Sequence, residues 1–365
     1  MKNNKFCHLH LHNEYSVLDG LGSAEDYAKK ASDLGFKYLG ITNHGNIDGL
    51  IKFQKACKEN NIHPILGCEA YIVPNLYKKE KGEHRGHVTL LVKNQNGFEN
   101  LCKMLTKANL EGFYHRPRID FDLLYDHCDG LVILTGCLDT FINLKGGVDL
   151  FYDLSEKLRD DLYLEVMPHN ITLQTKVNKM MLDIFHNNRN QYKLVATNDC
   201  HYIEKHHSET QEVLLAIQSK AKWTDPNRWK FNITGLHLRT ADEMIEAFTN
   251  QNILTDDDID DAILNTIEVA EKCAAFEIKK QKIFLPKVPG YNVKNTSDYL
   301  YDLCCEKLKK IKKYALHEVY INRLETEFDL IEKKGFIPYF MIVYDLVKWC
   351  KENDIMVGPG RGSVG

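Results

Sequence analysis

The sequence predicts an α/β protein whose mostly parallel strands close, or nearly close, into a barrel. Three observations carry that expectation. Through about the first two hundred residues, short apolar runs alternate with amphipathic helical patterns, the order that parallel strands with crossover helices require. There are about seven such runs, which suits a barrel better than an open sheet. Residues of metal-binding type fall at or just past the ends of these runs, as they do where barrel strand ends gather on one face.

Residues 6–11 read as the first strand. Strand side chains alternate, so His8, His10 and His12 share one face and Leu9 and Leu11 the other. Buried imidazoles need partners, because a buried polar group without one costs about 1–3 kcal/mol. A metal ion satisfies several at once. Ser23 is the N-cap of a helix through Leu34, which Gly35 stops. A strand at 37–42, a helix at 47–60, strands at 64–73 and 87–92 and a helix at 97–110 follow. Short strands at 131–134, 162–166 and 194–197 are separated by helices near 149–159 and 172–188.

After about residue 220 the pattern changes. Residues 223–231 form a polar connector with a proline, and 242–248 and 257–273 are helical. Residues 283–291, with Pro286, Pro289 and Gly290, read as an extended linker. Helices at 296–314 and 317–334, the second ended by Gly335, precede an apolar helix at 339–353 and a short strand at 355–357. A glycine-rich tail of Gly358-Pro359-Gly360-Arg361-Gly362-Ser363 follows. There is no internal repeat and no low-complexity segment.

A chain of 365 residues suits one large domain and part of another. An apolar content of 44% is ample for a core. A net charge of −4 gives no global signature of nucleic-acid binding, although a binding surface can be local. The 11 cysteines include no Cys-x-x-Cys pair, which points to reduced, cytoplasmic thiols. No run approaches about 18 apolar residues, so a membrane span is not expected. Of 16 histidines, 14 precede residue 208, which places a composition boundary between about 220 and 290.

The chemistry lies in where ligand-type residues fall. His8, His10 and His12 end the first strand, and Asp19 follows in the next loop. Asn43-His44-Gly45 follows the second strand, Glu69 lies in the third, and His87 opens the fourth. Cys137 follows the strand at 131–134, and Asp199-x-His201 ends the strand at 194–197. Each residue alone is a weak signal. Together they supply nitrogen, oxygen and sulfur ligands for a cluster of two or three metal ions, of a kind that suits zinc, manganese or iron. Arg116 and Arg118 are candidate phosphate clamps, because the guanidinium fork matches phosphate oxygens. The glycine-rich tail reads as a phosphate cradle of backbone N–H groups, with donors added by Arg361 and Ser363.

His10-Leu11-His12, Thr42-Asn43-His44-Gly45, Gly67-Cys68-Glu69, His87 and Asn198-Asp199-Cys200-His201 resemble the motifs of the polymerase-and-histidinol-phosphatase (PHP) superfamily. Further stretches narrow the resemblance to the bacterial DNA polymerase III alpha subunits. They are Phe6-Cys7-His8 through Leu18-Asp19-Gly20, Tyr114-His115-Arg116-Pro117-Arg118-Ile119-Asp120, Thr135-Gly136-Cys137-Leu138 and Ala196-Thr197-Asn198-Asp199. Toward the other end, Gly335-Phe336, Tyr339-Phe340-Met341-Ile342-Val343 and Val357-Gly358-Pro359-Gly360-Arg361-Gly362-Ser363 resemble the start of that polymerase's palm. The likeness spans the chain. It is closer to the form that begins directly with the PHP domain than to the form with an inserted exonuclease domain.

The resemblance implies a PHP-type distorted (β/α)7 barrel, then a mainly helical linker and the beginning of a polymerase palm. Its domains fall at 1–220, 221–290 and 291–365. It implies His10, His12, Asp19, His44, Glu69, His87, Cys137, Asp199 and His201 as metal ligands, zinc foremost. His8 and Asn43 support them from outside the ligand set. Asn43 stands where an Asp is common, so His44 is expected to lose a carboxylate that orients it. Gly360, Arg361, Gly362 and Ser363 would hold the incoming nucleotide's triphosphate.

The implied functions are DNA-directed DNA synthesis in the complete subunit, with Mg²⁺, primer-template and dNTPs, and metal-dependent 3′→5′ exonuclease or phosphoesterase activity in the PHP domain. The implied partners are the rest of the alpha subunit, the sliding clamp and other replisome proteins. The family's polymerase carboxylates lie beyond the phosphate loop, so this polypeptide alone is not expected to extend a primer. A stand-alone phosphatase of the histidinol-phosphatase kind and a metal-braced structural module are the rival readings.

Overall fold

The computed structural model describes residues 5–188, 191–231, 233–279, 285, 296–311, 318–358 and 360. Two compact units divide the chain, Met1–Ile278 and Lys279–Gly365. In chain order the first holds α1 (Ala24–Asp33), β1 (Tyr38–Ile41), α2 (Leu50–Glu59), β2 (His63–Val73), β3 (Gly86–Val92), α3 (Gln95–Leu110), β4 (Arg118–Asp120), α4 (Phe121–His127) and β5 (Leu131–Leu134). Then come α5 (Gly147–Leu158), β6 (Leu162–Val166), α6 (Thr172–Asn187), β7 (Leu194–Ala196), α7 (Ser208–Gln218), α8 (Ala241–Gln251) and α9 (Asp256–Cys273). The strands form one curled sheet in the order β1-β2-β3-β5-β6-β7, with β4 on β2.

Most pairs are parallel, as the alternation of elements predicts, but β3 runs antiparallel to both β2 and β5. That reversal decides where His87 goes. His87 lies near the start of its strand, yet it reaches the face where the parallel strands end, opposite Tyr71 of β2. Ser23 caps α1 by accepting from the Asp26 N–H, and Gly35 follows the helix with φ +78°. β4, α4 and α7 are absent from the sequence reading. The first is three residues long and the second seven, too short for either period to register.

The first predicted strand is not a ladder strand. Residues 6–12 run extended, with one bridge from Leu11 to Cys200 and a bend at His10. Gly40 N–H donates to the His8 carbonyl at 2.7 Å and Thr42 N–H to that of Leu11 at 2.8 Å. On the other side, Cys200 N–H donates to the His10 carbonyl at 3.1 Å and His12 N–H to that of Cys200 at 2.7 Å. The segment therefore joins the two edges of the curled sheet.

The bend also breaks the alternation that would put all three imidazoles on one face. Cys7 and Leu9 pack with Tyr38, Ile65, Leu91, Leu134, Tyr163 and Val195 inside the sheet, and α9 adds Val269, Ala270 and Cys273. His8 lies instead against Phe6 and Phe36 of the larger core. After the bend, His10 and His12 face inward and Leu11 joins that larger core.

The second unit holds α10 (Thr296–Lys310), α11 (Glu318–Lys333) and α12 (Ile337–Glu352) around Leu300, Phe328, Ile337 and Met341. Gly335 takes φ +71° between the last two helices. Residues 355–358 are irregular, so the predicted strand at 355–357 is not formed. Lys307, Lys309 and Lys310 of α10 are exposed. No helix among the described residues is long and apolar enough to cross a membrane.

Candidate metal centre

The inner face of the sheet changes character along its strands. Apolar positions at one end give way, two residues on, to polar ones: Leu91 to Thr89, Tyr163 to Glu165 and Val195 to Thr197. Glu69 of β2 lies opposite Thr89 of β3. The residues just past β1, β5 and β7, together with the first dozen residues, complete a ring around Glu69.

Glu69 is 1% exposed. Its carboxylate oxygens lie 2.5 Å from His44 Nδ1, 3.0 Å from His87 Nδ1, 3.3 Å from His10 Nε2 and 3.6 Å from His12 Nε2. Asp199 Oδ1 stands 3.1 Å from His12 Nε2, 3.4 Å from His10 Nε2 and 3.6 Å from His201 Nδ1. Asp19 reaches His44 Nε2 at 2.9 Å and His201 Nε2 at 3.6 Å. The Cys137 sulfur lies 3.1 Å from His87 Nδ1. All nine residues that the sequence singles out as ligands are thus brought together. Seven of them fall in three overlapping groups with geometry that could hold an ion: His12, His44 and His201; His10, His12 and Glu69; and Glu69, His87 and Cys137.

Charge within the ring is set by neighbours. Burial works against ionised Glu69, but His87, His44 and His10 outweigh it and hold its carboxyl well below the usual range. Burial is likewise outweighed at Asp199 by His10 and His201, and at Asp19 by His201 and His44. His12 goes the other way: burial, with His44 and His201 beside it, pushes its imidazole down to about 3, so the ring is neutral. Burial, then the Glu69 charge, pushes the Cys137 thiol up.

These contacts leave buried atoms unmatched. His10 Nε2, His12 Nε2, His44 Nδ1, His201 Nε2, Asp199 Oδ1 and both Glu69 oxygens have no hydrogen-bond partner. They are close to one another without being aligned as donor and acceptor. Most other buried polar groups in folded proteins are paired, so this concentration in one place calls for cations between the atoms. The donor set of imidazoles, carboxylates and one thiol fits zinc, and also manganese or iron.

Supporting contacts surround the ring. Glu165, which sequence reasoning missed, is 1% exposed and accepts from His10 Nδ1 at 2.7 Å. It also accepts from the Thr197 hydroxyl at 2.7 Å and the Gly136 N–H at 2.9 Å. A lone Glu within the apolar run Leu162–Val166 is the signal that could have found it. Asn43 has no described hydrogen bond to the His44 ring. It accepts from Ser16 Oγ at 2.8 Å, and Ser16 holds His12 Nδ1 at 2.9 Å, so the residue it positions is His12. Asn13 pairs with Asn43 in both directions. His8 lies outside the ring, bound to the Arg239 carbonyl at 2.7 Å and to Cys200 Sγ at 3.3 Å. Gln211 of α7 holds the Asp19 carbonyl at 3.2 Å.

The two arginines separate. Arg118 is 2% exposed, and its guanidinium is committed to Glu83 at 2.7 Å and to the carbonyls of Gly112, Leu76 and Lys78. Four of its five N–H donors are spent on these partners and the side chain is buried, so the expectation of a phosphate clamp at Arg118 is corrected. Arg116 is half-buried over the Tyr71 ring, which in turn stacks on His44 at 5.8 Å. In the other unit Gly360 is exposed, and Arg361, Gly362 and Ser363 lie outside the described residues.

With this geometry in place, comparison with known proteins is decisive. Residues 8–173 match the PHP domain, and residues 298–365 match the bacterial DNA polymerase III alpha NTPase domain. The DNA polymerase III subunit alpha of Aquifex aeolicus is 36% identical over 99% of this chain, and that of Treponema pallidum 34% over 98%.

The chain belongs to the bacterial DNA polymerase III alpha subunit family.

It spans about a third of the length of these relatives, 32% and 31% respectively. Among solved structures, a metal-dependent phosphoesterase from Bifidobacterium adolescentis aligns with 66% of this chain and 96% of its own, at 14% identity and a TM-score of 0.39. The PHP match covers β1 to β6 and all the ring residues except Asp199 and His201.

Proposed function

We propose that the ring is a hydrolytic metal centre that cleaves phosphodiesters at the 3′ end of DNA, inside a replicative polymerase alpha subunit. The observation that carries the reading is the set of unmatched buried nitrogen and oxygen atoms around Glu69. His10, His12, Asp19, His44, Glu69, His87, Cys137, Asp199 and His201 would hold two or three ions, zinc foremost. When bound, such ions supply Lewis acidity toward phosphoryl oxygens and acidify water near neutral pH.

The chain's own residues set the rest. Neutral His12 offers a lone pair rather than a charge, and ionised Glu69 and Asp199 balance the cations. Glu165 and the Asn43–Ser16 pair fix the His10 and His12 rings from behind. Arg116, with donors to spare beside Tyr71, orients a phosphate at the mouth.

The wider reading covers DNA-directed DNA synthesis with Mg²⁺ by the complete subunit, on primer-template and dNTPs. Its partners are the remaining alpha-subunit domains, the sliding clamp and other replisome proteins, and its compartment is the cytoplasm. In this reading 1–220 is the PHP domain, 221–290 its extension and linker, and 291–365 the palm entry, whose Gly360–Ser363 loop takes the triphosphate.

The test is metal analysis of the purified chain together with a nuclease assay on 3′-labelled single-stranded DNA. The expected result is bound metal and release of mononucleotides, both lost in His10→Ala. Bound metal in a folded protein without hydrolysis overturns the catalytic reading and leaves a structural brace.

A further inference from the structure

A cavity of about 400 Å³ is lined in part by Gly235 and His237, whose carbonyls accept from Asn198 beside Asp199. His169 and His237 line it, at 3% and 8% exposure. None of their four ring nitrogens has a hydrogen-bond partner. Glu243 stands 3.6 Å from His237 Nε2, which is beyond hydrogen-bond reach. Glu243 is already engaged with the Thr240 N–H and hydroxyl at the start of α8.

Cations join these imidazoles. Arg239 and Lys205 line the same cavity. Arg239 spends its Nε on the Gly235 carbonyl at 2.9 Å, and none of its terminal nitrogens has a described partner. Gly235 has φ +101°, and a Cβ there would stand 2.1 Å from Arg239 Nη2. Only glycine lets the guanidinium lie across this wall. Burial pushes the His169 imidazole down to about 4, so at neutral pH it is uncharged and offers one N–H and one lone pair.

We propose that this cavity binds a nucleoside monophosphate, with the phosphate on Arg239, Lys205, His169 and His237. The chemistry of the wall supports that class over a bare anion. Its volume is in the range of small-molecule sites and far exceeds what inorganic phosphate fills. Glu246 offers an acceptor for a sugar hydroxyl, and the Asn250 amide offers both a donor and an acceptor to a base edge.

The site is tied to the metal ring by two bridges. Asn198, next to Asp199, donates to the carbonyls of Gly235 and His237 at 2.9 and 2.8 Å. His8 joins Cys200, between Asp199 and His201, to the carbonyl of Arg239. This gives the buried first histidine of the triplet a task that the metal ring does not.

The inference stands apart from the hydrolytic reading, because binding is measured without turnover. Deoxyadenosine monophosphate and inorganic phosphate are titrated into the full chain by calorimetry. The nucleotide is expected to bind at least tenfold more tightly than phosphate. Arg239→Gln and Ala247→Phe, the second filling the cavity without removing a hydrogen bond, are each expected to weaken it at least tenfold. His12→Asn in the metal ring is expected to leave it unchanged. Absence of nucleotide binding overturns the proposal. So does binding that survives Ala247→Phe and fails in His12→Asn, which places the ligand on the metal ring, and so does equal affinity for phosphate alone.

Discussion

Glu165 Oε1 stands 2.7 Å from Nδ1 of His10, and this pair fixes the ring that faces Glu69 and Asp199. The carboxylate is itself held by Thr197 and Gly136, so it does not swing. A carboxylate behind a ligating imidazole sets its tautomer and raises its basicity, and losing one costs about 10–100-fold in metal affinity. Glu165→Gln keeps the shape and the strand. The expected outcome is a loss of at least tenfold in metal affinity, read by competition with a chelator, with the far-ultraviolet circular dichroism unchanged. Unaltered affinity would show that His10 needs no such support.

Removal of metal is expected to destabilise the first unit. Without cations, the charges of Glu69 and Asp199 and the lone pairs around them are buried unmatched. A ligand present at about 1,000 times its Kd adds about 4 kcal/mol to stability. Chelation should therefore lower the melting temperature by roughly 10 °C, at about 2–4 °C per kcal/mol for a domain of this size. Restoring zinc should reverse the shift. A melting temperature indifferent to chelator and zinc would argue against a metal in the ring.

Arg116 and Arg118 are two residues apart and are expected to fail in different ways. Arg118→Ala strands the Glu83 carboxylate and three carbonyls in a buried setting, a loss of about 2–4 kcal/mol. Denaturant melts should show it, while hydrolysis per folded molecule stays the same. Arg116→Ala removes a half-buried guanidinium with only a ring beneath it. Its stability should change by less than about 0.5 kcal/mol, and the KM for DNA should rise several-fold. Equal stability losses would dissolve the distinction.

The ligand ring was legible because each member stands beside a strand end, and strand ends of a barrel meet. What the sequence could not show was long-range direction and phase. His87 opens its strand and still reaches the ring, because β3 runs against its neighbours. His8 keeps the period of two with His10 and yet faces elsewhere, because the bend at His10 shifts the phase by one residue. Glu165 stood alone in an apolar strand, with no second residue to make a spacing. Asn43 sits next to His44 in sequence, but adjacent residues of extended chain point apart, so it serves His12 through Ser16 instead. Guanidinium chemistry likewise did not distinguish Arg116 from Arg118, since both match a phosphate and only their surroundings differ.

Acid should weaken the protein through His169 in a defined window. Burial, reinforced by Arg239 and His201 against the opposing charge of Asp199, pushes its imidazole down to about 4. The unfolded chain titrates near the ordinary value of about 6.5. Between these values the unfolded state binds the extra proton, so stability rises with pH across the window. The full contribution is present above about pH 6.5 and is lost progressively as pH falls toward 4, about 3 kcal/mol in all. His169→Gln removes the titrating group from the same buried place. Urea melts of the ligand-free protein at pH 7 and pH 4.5 should show the parent losing about 2–3 kcal/mol more than the variant over that interval. Equal losses would mean that His169 charges as freely in the folded protein as in the unfolded chain, and the cavity it lines would then be open to water.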